Sequence, residues 1–480
     1  MPKPRASRLN EFLAEPRRAV WVLAAPMMAS MAVHTIYMVV DTAFIGSLGK
    51  EALAAVTFVG PLFFVLIALI NGLATAITAL VAQAFGRKDH AEADRVASSA
   101  VGVALLLGIV IGGIGLLLGP WLLRVLGAKG QTHAYAWDYF QVITVTVPLF
   151  FTSAVLRSVL TGEGDAKTPM VIFAASTVIN LGFDALFIFG FGWGVWGAAL
   201  ATAVAQTFSL ATFAYVLFVR RRSLVKFRAS QLGIHRPLLR GLFTIGLPTA
   251  AGQFIMAVGM AAFNRVLAHF GESAVAGYGA ASRVDMFVAM PIFGLASAAV
   301  AVLGMFAGAG RPDLIRSTSL YVYRWVLTLA VVVGAAAYLS SGYVIRIFIQ
   351  EAEAVSIGST YLGYMLLIYP MMAFGATSGR ILQGLGYGVP SLIITLVRVL
   401  LVGVPVAYVG VFAYGAPIEW VWTAMIIGGV CSTILSFFWV RLLMWRRDPT
   451  ERAARAGEAA PAEPAPELPT TLPAPDDASR

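Results

Sequence analysis

Twelve stretches of this chain are each long and apolar enough to cross the hydrocarbon core of a bilayer: residues 19–45, 53–84, 94–119, 135–160, 167–190, 195–219, 239–268, 275–306, 317–339, 353–382, 387–411 and 417–444. A core about 30 Å thick asks for about 20 apolar residues per helix. Lipid is therefore the solvent for most of the molecule. The composition agrees, with 59% hydrophobic and only 12% charged residues, where soluble domains run near a quarter charged. The runs are too long for barrel strands and lack period-2 alternation. The first run follows Lys3, Arg5, Arg8, Arg17 and Arg18 but is too long for a signal-peptide core, so it reads as a retained helix.

Lys and Arg placement sets the expected orientation. Basic residues collect in the N-terminal arm, in loop 85–94 (Arg87, Lys88), in loop 220–238 (Arg220, Arg221, Arg222, Lys226, Arg228, Arg236), in loop 307–316 (Arg311, Arg316) and after the last span (Arg446, Arg447, Arg452, Arg455). The opposite loops carry little beyond Lys50, Arg124, Lys129 and Arg346. Both termini are expected in the cytoplasm, with the chain in the cell membrane. The net charge of +10 belongs to these loops and indicates no nucleic-acid partner. The single Cys431 gives neither a disulfide framework nor a metal cluster.

One constant offset, the one that carries Arg18 onto Arg240, brings one half of the chain onto the other. In the same register Pro26 falls on Pro248, Gly49 on Gly271, Gly72-Leu73-Ala74 on Gly294-Leu295-Ala296, and Gly86 on Gly308. Further on, Tyr139 meets Tyr361, Pro148 meets Pro370, and Gly162 and Gly164 meet Gly384 and Gly386. Six spans per half is an even number, so both halves enter from the same side and the repeat is parallel. The expected fold is an all-α membrane protein of twelve transmembrane helices in two pseudo-symmetric six-helix bundles. The expected parts are a cytoplasmic arm (1–18), an N-lobe (19–219), a basic cytoplasmic linker (220–238), a C-lobe (239–444) and a disordered cytoplasmic tail (445–480) rich in Ala, Pro and Glu. Two such lobes leave a cleft between them near the midplane, where transporters bind substrate and alternate its access.

Chemistry is expected where the repeat is broken. Asp41 in the first span corresponds to Phe263; Asn180 and Asp184 in the fifth correspond to Val402 and Val406. Intramembrane carboxylates are costly and usually face a cavity. His34 and Tyr37 precede Asp41 by seven and four residues and share its helix face. Asn180 and Asp184 are four apart, as are Thr202 and Gln206 of the sixth span. One polar pocket inside the first bundle would collect them. Pro26 gives the first span a place to bend, and Met27 follows it. In the second half Arg283 and Asp285 are two apart and do not face each other on a helix. The Met and aromatic side chains of the cleft suit an adaptable binding surface.

With these residues stated, the chain resembles the multidrug and toxic compound extrusion (MATE) family over roughly residues 15–445. The resemblance rests on "PMMASMAVHTIYMVVDTAFIGSLG", "LTGEGDAKTP", "INLGFDALFIFGFGWGVWGAALAT" and "FGLASAAVAVLGMFAGAG". It implies a V-shaped, two-lobed antiporter driven by H⁺ or Na⁺, without other cofactors. In the DinF-like branch the coupling site matches Asp41, Asn180, Asp184 and Thr202, with Tyr37 adjacent and Pro26 as the bend; a Na⁺ would sit among the first four. In the NorM-like branch helices seven and ten carry carboxylates. Here the seventh span has none between Leu239 and His269, and the tenth has only Glu353 at its edge.

The expected function is a secondary active exporter, a monomer, that drives amphipathic, cationic organic compounds out of the cell. Pro26, Met27, His34, Tyr37, Gln206 and Arg283 are the expected substrate contacts. The alternative is a lipid-linked oligosaccharide flippase of the same superfamily, since Arg157, Arg283 and Arg398 suit phosphate. An enzyme is not expected, for no His-Glu-x-x-His or Gly-x-Ser-x-Gly is present, and the phosphate loop of an ATP-driven pump is missing.

Overall fold

Residues 5–220 and 223–445 are described by a computed structural model. The tail expected at 445–480 lies, from residue 446 on, outside them. Twelve helices long and apolar enough to span a membrane follow in order: α1 (Pro16–Ser47), α2 (Lys50–Gly86), α3 (His90–Val125), α4 (Gly130–Gly162), α5 (Lys167–Gly190), α6 (Gly194–Val219), α7 (Arg236–Phe270), α8 (Glu272–Gly308), α9 (Pro312–Leu339), α10 (Ala352–Gly384), α11 (Val389–Tyr414) and α12 (Glu419–Leu443). No strand occurs among the described residues. Helices satisfy every backbone group within one segment, which is what a bilayer demands.

Several spans, at up to 37 residues, are longer than a bilayer core requires, a mismatch that membrane helices accommodate by tilting or bending. α1 runs unbroken through Pro26, and the Ser30 hydroxyl donates to the Pro26 carbonyl at 2.9 Å. Four spans contain a π-helical turn: Ala185–Gly190 in α5, Tyr215–Val219 in α6, Leu242–Gly246 in α7 and Val397–Gly403 in α11. Such turns recur at functional sites.

The lobes meet along few helices. α1 packs against α8, and α2 against both α7 and α8. Close approach is made possible by glycine. A Cβ on Gly72 would stand 2.5 Å from the Gly246 oxygen and 3.1 Å from the Ala250 Cβ, and one on Gly294 2.9 Å from the Met28 Cα. These are repeat-equivalent contacts, because the same offset relates Gly72 to Gly294 and Met28 to Ala250. Polar bonds cross the same seam: Gln83 Nε2 donates to the Gly384 carbonyl at 2.8 Å, and Trp21 Nε1 to the Tyr321 hydroxyl at 2.9 Å. All of these except the last lie in the second halves of α2 and α8 or on their partners.

Two features had no counterpart in the sequence reading. Within the arm, Arg5–Ala14 is helical and buries Leu9 and Phe12 against the C-lobe core. The linker is bound down: Asp94 accepts the Lys226 N–H at 2.7 Å, Ser98 accepts the Arg228 N–H at 3.1 Å, and Ser99 both donates to the Gly233 carbonyl (2.6 Å) and accepts the His235 N–H (3.1 Å).

Candidate ion-coupling site

α1, α5 and α6 converge in the N-lobe, and the polar residues of their facing sides converge with them. Asn180 is the hub. Its amide nitrogen donates to the Tyr37 hydroxyl (3.2 Å) and to Asp184 Oδ2 (3.1 Å), and its oxygen accepts the Thr202 N–H (3.1 Å). One amide thus ties three helices together. Asp184 is fully buried and Asn180 nearly so, at 0% and 3% exposure. Asp184 is the last α-helical residue before the π turn of α5, after which Gly192 and Gly194 adopt positive φ, +67° and +55°, to turn the chain into α6. Those two positions favour glycine because a Cβ is disfavoured there.

Asp184 Oδ1 is buried and accepts no hydrogen bond from the described residues. A carboxylate oxygen left open in a closed pocket is costly unless a proton or cation occupies it. Asp41 lies within electrostatic reach of Asp184, Tyr37 and Tyr139. It is half-buried and forms no ion pair with Lys, Arg or His among the described residues. Two carboxyl groups thus share one low-dielectric pocket with no basic partner, an arrangement that ties charge to ion occupancy.

The remaining sequence-predicted residues go elsewhere. His34 is exposed one turn before Tyr37, its ring 6.1 Å from that of Phe173, and Arg157 is its charged neighbour. Pro26 and Met27 are half-buried, and Met27 packs against the C-lobe core. Gln206 donates to the Leu149 carbonyl of α4 at 3.3 Å and makes no hydrogen bond to the acidic cluster among the described residues. Arg283 stacks on the Phe348 ring at 5.1 Å. The arginines suited to phosphate are dispersed: Arg398 meets the Met256 sulfur at 3.0 Å, while Arg157 neighbours His34. Tyr139 on α4 is the site neighbour that the sequence reading passed over; its identity with Tyr361 across the repeat was the available signal. A groove of about 650 Å³ lies away from this pocket, at the start of α1, lined by Arg17, Arg18, Tyr321 and Arg324.

Two six-helix lobes related by a parallel repeat, with polar groups gathered inside one of them, form the architecture of a membrane transporter. A family model described as MatE matches residues 26–186 and again 248–409, two segments that begin at the repeat-equivalent Pro26 and Pro248. The chain belongs to the MATE family, whose members are transporters and not enzymes. It is 27% identical over 451 residues to the "Probable multidrug resistance protein NorM" of Thermotoga maritima, covering 91% of this chain and 95% of the relative. It is 24% identical over 419 residues to "Multidrug export protein MepA" of Staphylococcus aureus, covering 86% and 91%. Among solved structures, "Outward-facing conformation of a multidrug resistance MATE family transporter of the MOP superfamily" superposes with a TM-score of 0.85 at 30% identity, covering 90% of this chain and 96% of that one. The chain is therefore a multi-pass membrane protein of a family named for multidrug efflux.

Proposed function

We propose that this protein is a cation-coupled antiporter that expels amphipathic, cationic organic compounds, with Asp41, Asp184, Asn180, Thr202 and Tyr37 as its ion-coupling site. The open Oδ1 of buried Asp184, beside a second acid and without an ion pair to Lys, Arg or His among the described residues, is the observation that carries this reading. A proton or a Na⁺ would complete the pocket. Carboxylate, hydroxyl and amide oxygens are hard donors of the kind such a cation takes. Filling the pocket neutralises it and lets α1, α5 and α6 close on one another; emptying it restores a charge that attracts a cationic substrate.

Both termini and the linker belong on the cytoplasmic side by their Lys and Arg content. The seam between α2 and α8 then closes the cytoplasmic face, and the cleft opens outward. The protein acts as a monomer in the cell membrane, and Pro26 marks the place where α1 bends. The test is efflux of a cationic dye from proteoliposomes under separately imposed pH and sodium gradients. Uphill export driven by either gradient is the expected result. Export indifferent to both sinks the antiport reading, and movement of a lipid-linked sugar in place of the dye would favour the flippase.

A further inference from the structure

The C-lobe has an intramembrane carboxylate of its own. Asp285 of α8 accepts a hydrogen bond at each oxygen, from Tyr361 at Oδ2 (2.6 Å) and from Tyr369 at Oδ1 (2.5 Å). The two tyrosines are eight residues apart on α10, so both hydroxyls fall on one face of that helix. Tyr278, two turns earlier on α8, packs edge-on against Tyr361 at 5.2 Å and stacks with Trp422 at 5.9 Å. Trp422 is fully buried and closes the α12 side.

No cation offsets this acid. Arg283, two residues earlier, is turned to Phe348. The helices packed on α8 are α1, α2, α7, α9, α10 and the short helices Arg5–Ala14 and Ser341–Phe348. Of these, only α10 supplies a titratable side chain that bonds Asp285, and no Lys, Arg or His among the described residues pairs with it. Asp285 is nonetheless only half-buried, so a proton can reach it.

The repeat makes the arrangement more telling. Tyr361 stands where Tyr139 stands in the N-lobe, and Tyr139 neighbours Asp41 and Asp184. Asp41 has Phe263 as its counterpart, and Asp285 has Phe63. Each lobe keeps the shared tyrosine and adds an acid where the other lobe has phenylalanine. That acid arrives from α1 in one lobe and from α8 in the other.

We propose that Asp285, held by Tyr361 and Tyr369, is a second proton-binding site, lodged in the C-lobe and loaded and emptied during transport. The exchange is a simple transfer from solvent to a carboxylate oxygen. Once protonated, that oxygen becomes a donor, and the tyrosine that donated to it must accept or turn away, which changes how α8 grips α10. A metal ion fits poorly. A hard cation asks for six or more oxygens, and those gathered here include two hydroxyls already committed as donors. The proposal goes beyond the Asp41–Asp184 reading and does not depend on it.

Infrared difference spectra of the full chain in lipid vesicles, acid minus alkaline, test the idea. They are recorded in an Asp41→Asn, Asp184→Asn, Glu163→Gln background, because the buried Glu163 carboxyl also takes up a proton in this range. A carboxylic-acid carbonyl band is expected to persist there and to be lost when Asp285→Asn is added. Tyr361→Phe and Tyr369→Phe are expected to shift the pH midpoint of that band. They also decide the matter if Asp285→Asn fails to insert stably. A band of unchanged intensity in Asp285→Asn, an unmoved midpoint in both tyrosine variants, or a response to NaCl at fixed pH in place of a response to pH overturns the proposal. Failure of the N-lobe reading would look different: efflux would survive Asp41→Asn, and this band would be untouched.

Discussion

Gly86 and Gly308 face each other where α2 and α8 meet across the two lobes. A Cβ on Gly86 would collide with the Met305 carbonyl oxygen, and one on Gly308 with the Gln83 carbonyl oxygen. The repeat that relates the two glycines relates Gln83 to Met305 as well. The contact is one two-fold pattern written twice. It lets two helix backbones touch where any side chain would hold them apart.

Gly86→Ala or Gly308→Ala is therefore expected to push this end of the seam open while leaving each lobe folded. Spin labels on α2 and α8 near the glycines should report a longer distance than in the unaltered protein, and dye efflux should fall. Labels that report the same distance, with efflux intact, would show that the backbones give way without separating the lobes.

At the acidic pocket, Asp41→Asn should reduce gradient-driven efflux to the leak level with expression preserved, and Asp184→Asn should do the same. Because both acids serve one pocket, the double variant should be no worse than either alone. Such non-additivity marks groups that act as a unit. Efflux that declines stepwise, single by single, would argue for two separate roles.

Glu163 caps α4 just outside the membrane spans and reaches the linker. It accepts from the Ser223 hydroxyl and from the Leu224 (2.8 Å) and Val225 (3.1 Å) amides. Burial pushes its carboxyl up to about 7, with those bonds and Arg8 pulling the other way. A raised carboxyl binds more protons folded than unfolded, so stability is highest below its ordinary range near 4.3 and falls as pH climbs towards 7. The whole effect is on the order of 3 kcal/mol by linkage. Glu163→Gln should flatten this part of the profile of melting temperature against pH. A profile identical to that of the unaltered protein would remove Glu163 from the account.

The bonds that tether the linker make a fourth prediction. Asp94→Ala or Ser99→Ala removes one or two of them, each worth about 1 kcal/mol. Trypsin should then cut after Lys226 or Arg228 several-fold faster, as read by the rate of appearance of the two half-chains. Unchanged cleavage would mean that the strap is held mainly by its apolar contacts, Val225 and Phe227 among them.

The spans and the repeat were legible because bilayer thickness fixes how long an apolar run must be, and because glycine and proline recur where two helices touch or bend. Asp41, Asn180 and Asp184 were legible because polar groups within such runs are costly and stood at helical spacing on asymmetric positions. Asp285 stood in an equally apolar run, but its meaning lay in Tyr361 and Tyr369, 76 and 84 residues away. No local pattern links them. Gln206 and Thr202 share the four-residue spacing, yet Gln206 turns to α4, since spacing gives a helix face and not the neighbour that the face meets. The linker strap was hidden for another reason: it is made through backbone amides, which every residue has.

The small helix Arg5–Ala14 has a bearing on how the molecule is built. Phe12 borders Gly164, and Met305 borders the same glycine from α8. This segment, made before any of the spans, thus finds its final neighbour only after the eighth span has been made. α1, too, rests on α8. The N-lobe inserts first but cannot be finished first. Until the eighth span arrives, Leu9 and Phe12 lack the Met305 side of their packing.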